Sequence, residues 1–252
     1  DESGCMDPTA CNYDEDAFLD DGSCDYCSCD YTDIDGYEAN TSSVEGYNVV
    51  VELAQTHLEG VLEGMHTYRV YIETPSSEDE VSAVSSQGDF ALEINTTTSF
   101  YQSPFGAAAG GNISPAMIVV APDAEWDSYV TIGATTSADN PGGLVSTIGV
   151  DPWETEFEAG NSFTIQDNIG GGWFIAPPGQ ANGVAGEDNR VLVAQLTTDG
   201  VISGQFAAQI FPGGHFPGAE DIRPEFTFQQ RPVGAFACPT IDVAPEDETV
   251  SC

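Results

Sequence analysis

Lysine is missing from this 252-residue chain. Arginine occurs only at Arg69, Arg190, Arg223 and Arg231, against 42 acidic residues and a formal net charge of −38. Nucleic-acid binding needs a basic face that displaces phosphate counterions, and four arginines cannot build one. Attraction to an anionic membrane surface fails for the same reason. No run approaches the ~18 apolar residues of a membrane-spanning helix, so no membrane insertion is expected. The chain opens at Asp1 without a charged and then apolar leader, and reads as a mature, processed product. Helical periodicity longer than about two turns is also missing.

Catalytic signatures are equally scarce. Gly-x-Ser-x-Gly and His-Glu-x-x-His do not occur, and the three histidines, His57, His66 and His215, stand without a local nucleophile signature. Paired carboxylates serve glycoside hydrolysis, but 42 acidic candidates single out no pair. The glycine-rich stretches lack a following helix and a lysine, which argues against phosphate cradling. Arg69 and Arg190, mid-strand among acids, read as ion-pair anchors.

What the chain does have is concentrated at its ends. Residues 1–30 hold five of the seven cysteines, Cys5, Cys11, Cys24, Cys27 and Cys29, in a run of carboxylates with little to form a core. Such a segment keeps a shape through disulfides, bound cations or both, which places it outside the reducing cytosol. Residues 31–46 are polar and turn-rich, a linker. Residues 47–232 carry nearly all the aliphatic and aromatic content, and residues 233–252 restart the cysteine pattern with Cys238 and Cys252. A charge of −38 repels itself at low salt. In brine near seawater strength the screening length falls to about 4–5 Å, so a saline habitat with abundant divalent cations is expected.

The segment 47–232 reads as β throughout. Runs at 47–53, 67–73, 89–94, 116–121, 128–133, 162–165, 173–176, 190–196 and 201–211 are rich in Val, Ile, Phe, Tyr and Thr between Gly, Pro, Asn and Asp clusters. Thr198-Asp199-Gly200-Val201 predicts a tight hairpin between the last two. A segment of this length buries about 70% of its unfolded surface. Strands without interleaved helices predict an all-β fold, an antiparallel β-sandwich or jelly roll beside a small disulfide-rich N-terminal repeat.

Asn12, Asp14 and Asp16 alternate ahead of Asp20-Asp21-Gly22, as oxygen ligands do around a calcium ion. Asp33-x-Asp35-Gly36 is a shorter echo, and Asp123, Glu125 and Asp127 form another set within the β segment; a solvated acidic turn is the alternative for each. Cys24-x-x-Cys27-x-Cys29 with His57 or His66 would suit zinc, although the extracellular context favours disulfides. Seven cysteines leave one over, and six already allow fifteen pairings; Cys238 and Cys252 pair with each other or one of them bonds another chain. Trp126, Trp153 and Trp173 are candidates for stacking on sugar rings, against the ordinary role of tryptophan in a core. Asn40-Thr-Ser and Asn95-Thr-Thr fit glycosylation acceptors.

Gly4-Cys5, Asp7, Ala10, Asn12-Tyr13, Ala17 and Asp20-Asp21-Gly22-Ser23-Cys24 resemble the cysteine-rich repeats of secreted surface proteins of marine bacteria, many exported by the type IX system, and of some algae. The stretches 68–71, 99–102, 127–133 and 190–198 look like a module found beside such repeats. Pro239-Thr240-Ile241-x-Val243-x-Pro245-x-Asp247-x-Thr249-Val250-x-Cys252 resembles the opening of hyalin-type repeats of adhesive proteins. The resemblance implies an extracellular setting; with the stapled ends, the odd cysteine and the acidic loops, the chain is read as a non-enzymatic segment of a cell-surface adhesin or filament stabilised by disulfides and calcium. Its expected partners are copies of itself or neighbouring modules; the alternative readings are a carbohydrate-binding module, with surface glycans as partners, and then a secreted hydrolase domain.

Overall fold

The structure, a computed structural model, describes residues 40–230 apart from 150, 151 and 167–169, together with 3, 4, 6 and 17–20. The chain divides into two compact units, Asp1–Ala39 with Arg231–Cys252, and Asn40–Gln230. In the first, β1 (Ser3–Gly4) pairs in parallel with β2 (Leu19–Asp20).

The second unit holds β3 (Thr41–Ser42), β4 (Asn48–Thr56), β5 (His66–Glu73), β6 (Glu80–Ser85), β7 (Leu92–Thr96), α1 (Pro115–Val120), β8 (Tyr129–Val130), β9 (Val145–Ile148), α2 (Trp153–Glu158), β10 (Phe163–Ile165), β11 (Gly172–Ile175), β12 (Arg190–Thr198), β13 (Ile202–Phe211) and β14 (Glu225–Gln229). β3, at Thr41–Ser42, falls within the stretch 31–46 read above as a linker.

Period-2 patterning explains the longer strands. In β5, Tyr68, Val70 and Ile72 turn inward while Arg69, Tyr71 and Glu73 turn outward, as successive side chains must on a pleated strand. β12 runs between β5 and β8, and β4 pairs with β5, giving a four-stranded sheet in the order β4-β5-β12-β8. The larger sheet is eight-stranded and built around β13. One edge of β13 takes β6 opposite Ala207–Phe211 and β7 opposite Ile202–Gln205; the other takes β14 opposite Ser203–Ala207. β11 and β9 extend the sheet beyond β6, β10 extends it beyond β7, and β3 lies outside β14. All these pairings are antiparallel, and Ile72, Val191 and Val193 of one sheet share a single core cluster with Leu92, Phe206 and Ile210 of the other. This is an all-β sandwich. Each such side chain contributes roughly 1.5–3 kcal/mol on burial, and residues 40–230 contain no cysteine. The sandwich therefore stands on its core without covalent staples.

Two expectations are corrected. The stretch 116–121 is no strand, and all of it but Ala121 lies in helix α1: Pro115 sits at the first helical position, where its missing N–H is harmless, and Pro122 opens the next turn. Val119 and Val120 are 82% and 74% exposed, so their β propensity finds no sheet to pack on. The second correction concerns Asp199-Gly200. β12 and β13 do not pair with each other; they belong to different sheets, and the turn carries the chain across the sandwich. Gly200 is required there by space: a Cβ would lie 2.5–2.8 Å from the hydroxyls of Thr98, Thr96 and Thr97. Those threonines close the crossing, with Thr98 Oγ1 donating to Asp199 Oδ1 at 2.6 Å and the Val201 N–H donating to Thr97 Oγ1 at 3.0 Å.

Candidate functional site

The acidic set at 123–127 lies on the 3-10 turn Pro122–Trp126 and the residue after it. Asp123 and Glu125 face solvent, whereas Asp127 is fully buried. Its Oδ1 accepts from the Ser103 N–H at 2.6 Å and its Oδ2 from the Ala107 N–H at 2.9 Å. On the next residue of that loop, the Ala108 N–H donates to Glu158 Oε1 at 3.2 Å. Burial pushes the Asp127 carboxyl up to about 7, against the backbone donors of Ser103, Ala107 and Ser128 and with added repulsion from Glu158. Two of the three carboxylates thus point to water, and the third holds the 103–107 loop; the structure does not bring them together. Among the described residues no group of three or more His, Cys, Asp or Glu is placed to hold a metal ion.

A buried column of polar side chains runs beside this turn. His57 Nε2 lies 2.8 Å from Thr67 Oγ1, which lies 2.7 Å from Thr197 Oγ1, and Thr197 Oγ1 donates to the Trp126 carbonyl at 2.6 Å. The last bond sets the direction of the others. Thr197 gives its proton to the carbonyl, so Thr67 donates to Thr197 and His57 donates to Thr67. The imidazole therefore feeds a proton toward Thr67 instead of removing one, which is the wrong polarity for activating a hydroxyl nucleophile. Burial, with His66 nearby, lowers the His57 pKa, opposed by Asp123. Gln195 extends the column, donating to the carbonyls of Glu125 and Asp127 at 2.9 and 3.0 Å and accepting from Arg69 Nε at 3.2 Å. His66 Nδ1 lies 3.2 Å from Thr56 Oγ1 on the neighbouring strand, and His215 meets the edge of Phe211 at 4.8 Å.

Arg190 forms an ion pair with Glu52 at 2.8 Å, its guanidinium 4.3 Å from the centre of the Tyr71 ring. It is an anchor across the outer face of the small sheet. Trp153 and Trp173, weighed as sugar platforms, are core residues at 3% and 1% exposure. Trp153 stacks on Phe163 at 5.0 Å, and Trp173 Nε1 donates to the Thr131 carbonyl at 2.8 Å. Only Trp126 of the three is half-buried, edge-on to His57 at 5.2 Å.

Sequence reasoning missed the adjacent acids Asp79 and Glu80, which are 2% and 1% exposed. Asp79 accepts from the Gly213 N–H at 2.7 Å and the Tyr47 hydroxyl at 3.1 Å. Glu80 accepts from the Gly179 N–H at 2.5 Å and the His215 N–H at 3.2 Å. The pair ties the 177–180 and 212–215 loops to the start of β4. In so acidic a chain nothing local distinguishes these two carboxylates; their partners lie 32 to 135 positions away.

Asn40, read as a glycosylation acceptor, closes the seam between the sheets. Its Nδ2 donates to the Val49 carbonyl at 3.1 Å and its Oδ1 accepts from the Gln229 N–H at 3.0 Å. Asn95 is half-buried on β7 opposite Ser203. Asp20 contributes backbone to β2. Asn12, Asp14, Asp16, Asp21, Asp33 and Asp35, the seven cysteines and the 233–252 tail lie outside the described residues. No protein-family model, curated protein or solved structure matches the chain.

Proposed function

We propose that the chain is a non-enzymatic extracellular structural protein, a segment or subunit of a cell-surface adhesin or filament. One observation carries the reading: all seven cysteines lie outside Asn40–Gln230, five of them in the acidic N-terminal segment 1–30 and two in the 233–252 tail, while the sandwich between them has a complete core and no cysteine. In residues 1–30 the cysteines stand where burial cannot supply stability, which is the logic of a secreted chain. In this reading Cys5, Cys11, Cys24, Cys27, Cys29, Cys238 and Cys252 are oxidised, and calcium is bound by Asn12, Asp14, Asp16, Asp20 and Asp21. Copies of the chain or neighbouring modules join through the terminal segments.

Melting in calcium is compared with melting in chelator at constant ionic strength, and calcium-treated material is imaged by electron microscopy. A higher melting temperature that sodium does not reproduce, and particles repeating along a polymer, are expected. An identical melt in both buffers together with monodisperse monomers refutes the proposal. The second reading, a secreted carbohydrate-binding module, is supported by Trp126, the one tryptophan of the three that is not in the core. Specific binding on a glycan array that Trp126→Ala abolishes would replace the first reading with it.

A further inference from the structure

The chain enters the sandwich at Asn40 and leaves it at Gln230 across one pair of strands. Thr41 is opposite Thr227 and Ser42 opposite Phe226, and those two positions are the whole β3–β14 register. Around them the pairing is held by hydrogen bonds. The Thr41 and Thr227 hydroxyls lie 2.5 Å apart, the Ser43 N–H donates to the Glu225 carbonyl at 2.9 Å, the Glu225 N–H donates to Ser43 Oγ at 2.8 Å, and Asn40 accepts from Gln229. None of residues 40–46 is fully buried; Val44 packs partly against the core, and Tyr47 is the first full anchor. Gly46, at φ +87°, turns the chain between β3 and β4. The acceptor strand differs. Phe226 and Phe228 of β14 are 0% and 3% exposed and pack on Phe206, so β14 keeps its place whether or not β3 is there.

Lifting β3 away thus uncovers a fixed strand edge without opening the core. A bare edge is a template for another strand. A second copy offers an identical β3, so its pairing restores the same bonds, and exchange between copies costs only the entropy of association. Exchange in one direction around each copy generates an open chain instead of a closed dimer. We infer that β3 is an exchangeable strand: in assembled material, residues 40–43 of one copy pair with β14 of the next. The inference rests on the assembly proposed above and names the contact that would propagate it.

The test uses the full chain carrying Thr41→Cys and Thr227→Cys, exposed or half-exposed positions directly opposed across an antiparallel pair, a spacing that a disulfide spans. Copies of natural isotope content are mixed with 15N-labelled copies, assembled in calcium brine, oxidised, digested and analysed by mass spectrometry for the 41–227 cross-linked peptide. Strand exchange yields isotopic hybrids at the statistical share in the assembled fraction and only pure peptides in the monomer fraction. Pure peptides alone in assembled material overturn the exchange and leave the assembly standing. Absence of any 41–227 peptide in either fraction overturns the β3–β14 pairing and the inference with it. A protein that stays monomeric throughout overturns both the assembly and the exchange.

Discussion

Asp79 and Glu80 are neighbours in sequence, equally buried and equally saturated with hydrogen bonds, yet their amide variants should behave differently. Glu80 faces two backbone N–H groups, of Gly179 and His215, neither of which can reverse its polarity. In Glu80→Gln one of them must confront the new NH2 group. A bond to a charged acceptor is lost and a buried donor is left facing a donor, a loss of about 2–3 kcal/mol. Asp79 faces one backbone N–H, of Gly213, and one hydroxyl, of Tyr47. In Asp79→Asn the amide oxygen keeps Gly213 while the Tyr47 hydroxyl rotates to accept from the amide nitrogen. Both contacts survive in neutral form, so the loss is about 1 kcal/mol or less. Each variant removes one buried charge of similar surroundings, so relief of desolvation cancels in the comparison. At a slope of about 2 kcal/mol per molar urea, the unfolding midpoint should drop by about 1–1.5 M for Glu80→Gln and by less than about 0.5 M for Asp79→Asn. Urea titration at constant high salt, followed by fluorescence of the buried Trp153 and Trp173, reads both. The Tyr47 hydroxyl supplies an independent signal. Burial and the adjacent Asp79 charge raise its pKa to about 12, and Asp79→Asn should bring it down in an ultraviolet pH titration. Equal midpoint shifts, or a larger one for Asp79→Asn, would refute the donor–acceptor reasoning.

Asp127, raised to about 7 by burial, holds its proton more tightly folded than unfolded. Its contribution to stability is present below the ordinary carboxylate range and disappears as pH rises through about 7. Asp127→Asn should therefore show a shallower fall in melting temperature between pH 4 and 8 than the parent at equal salt, and parallel curves would exclude this role. Gly200→Ala should destabilise by about 1–3 kcal/mol through crowding of the threonine hydroxyls, and Thr97→Ala should partly rescue it in a double-mutant cycle. A purely additive cycle would show that space around Gly200 is not the reason for glycine there.

Much of this protein was written locally. Alternating Tyr68, Val70 and Ile72 on β5 suit a strand with one buried face, and the runs of Val, Ile, Phe and Tyr between turn residues mark most of the longer strands, so the β class follows from residue order alone. The missing lysine likewise excludes a basic binding face without any coordinates. Local signals also existed for features that were overlooked: Pro115 at a helix start, and Trp153 and Phe157 four apart on the buried side of α2. β6 was hidden because Glu80-Val-Ser-Ala-Val-Ser85 is buried on both faces and lacks the alternation of a half-exposed strand. Which strand pairs with which had no local signature. Asp199-Gly200 suits a hairpin as well as a crossing between sheets, and the sheet partners of β12 and β13, distant in sequence, decided for the crossing. The same holds for Asp127, Asp79 and Glu80 among 42 acids. A carboxylate acquires a role when distant backbone amides converge on it in a dry place, and that convergence is a property of the packed sandwich.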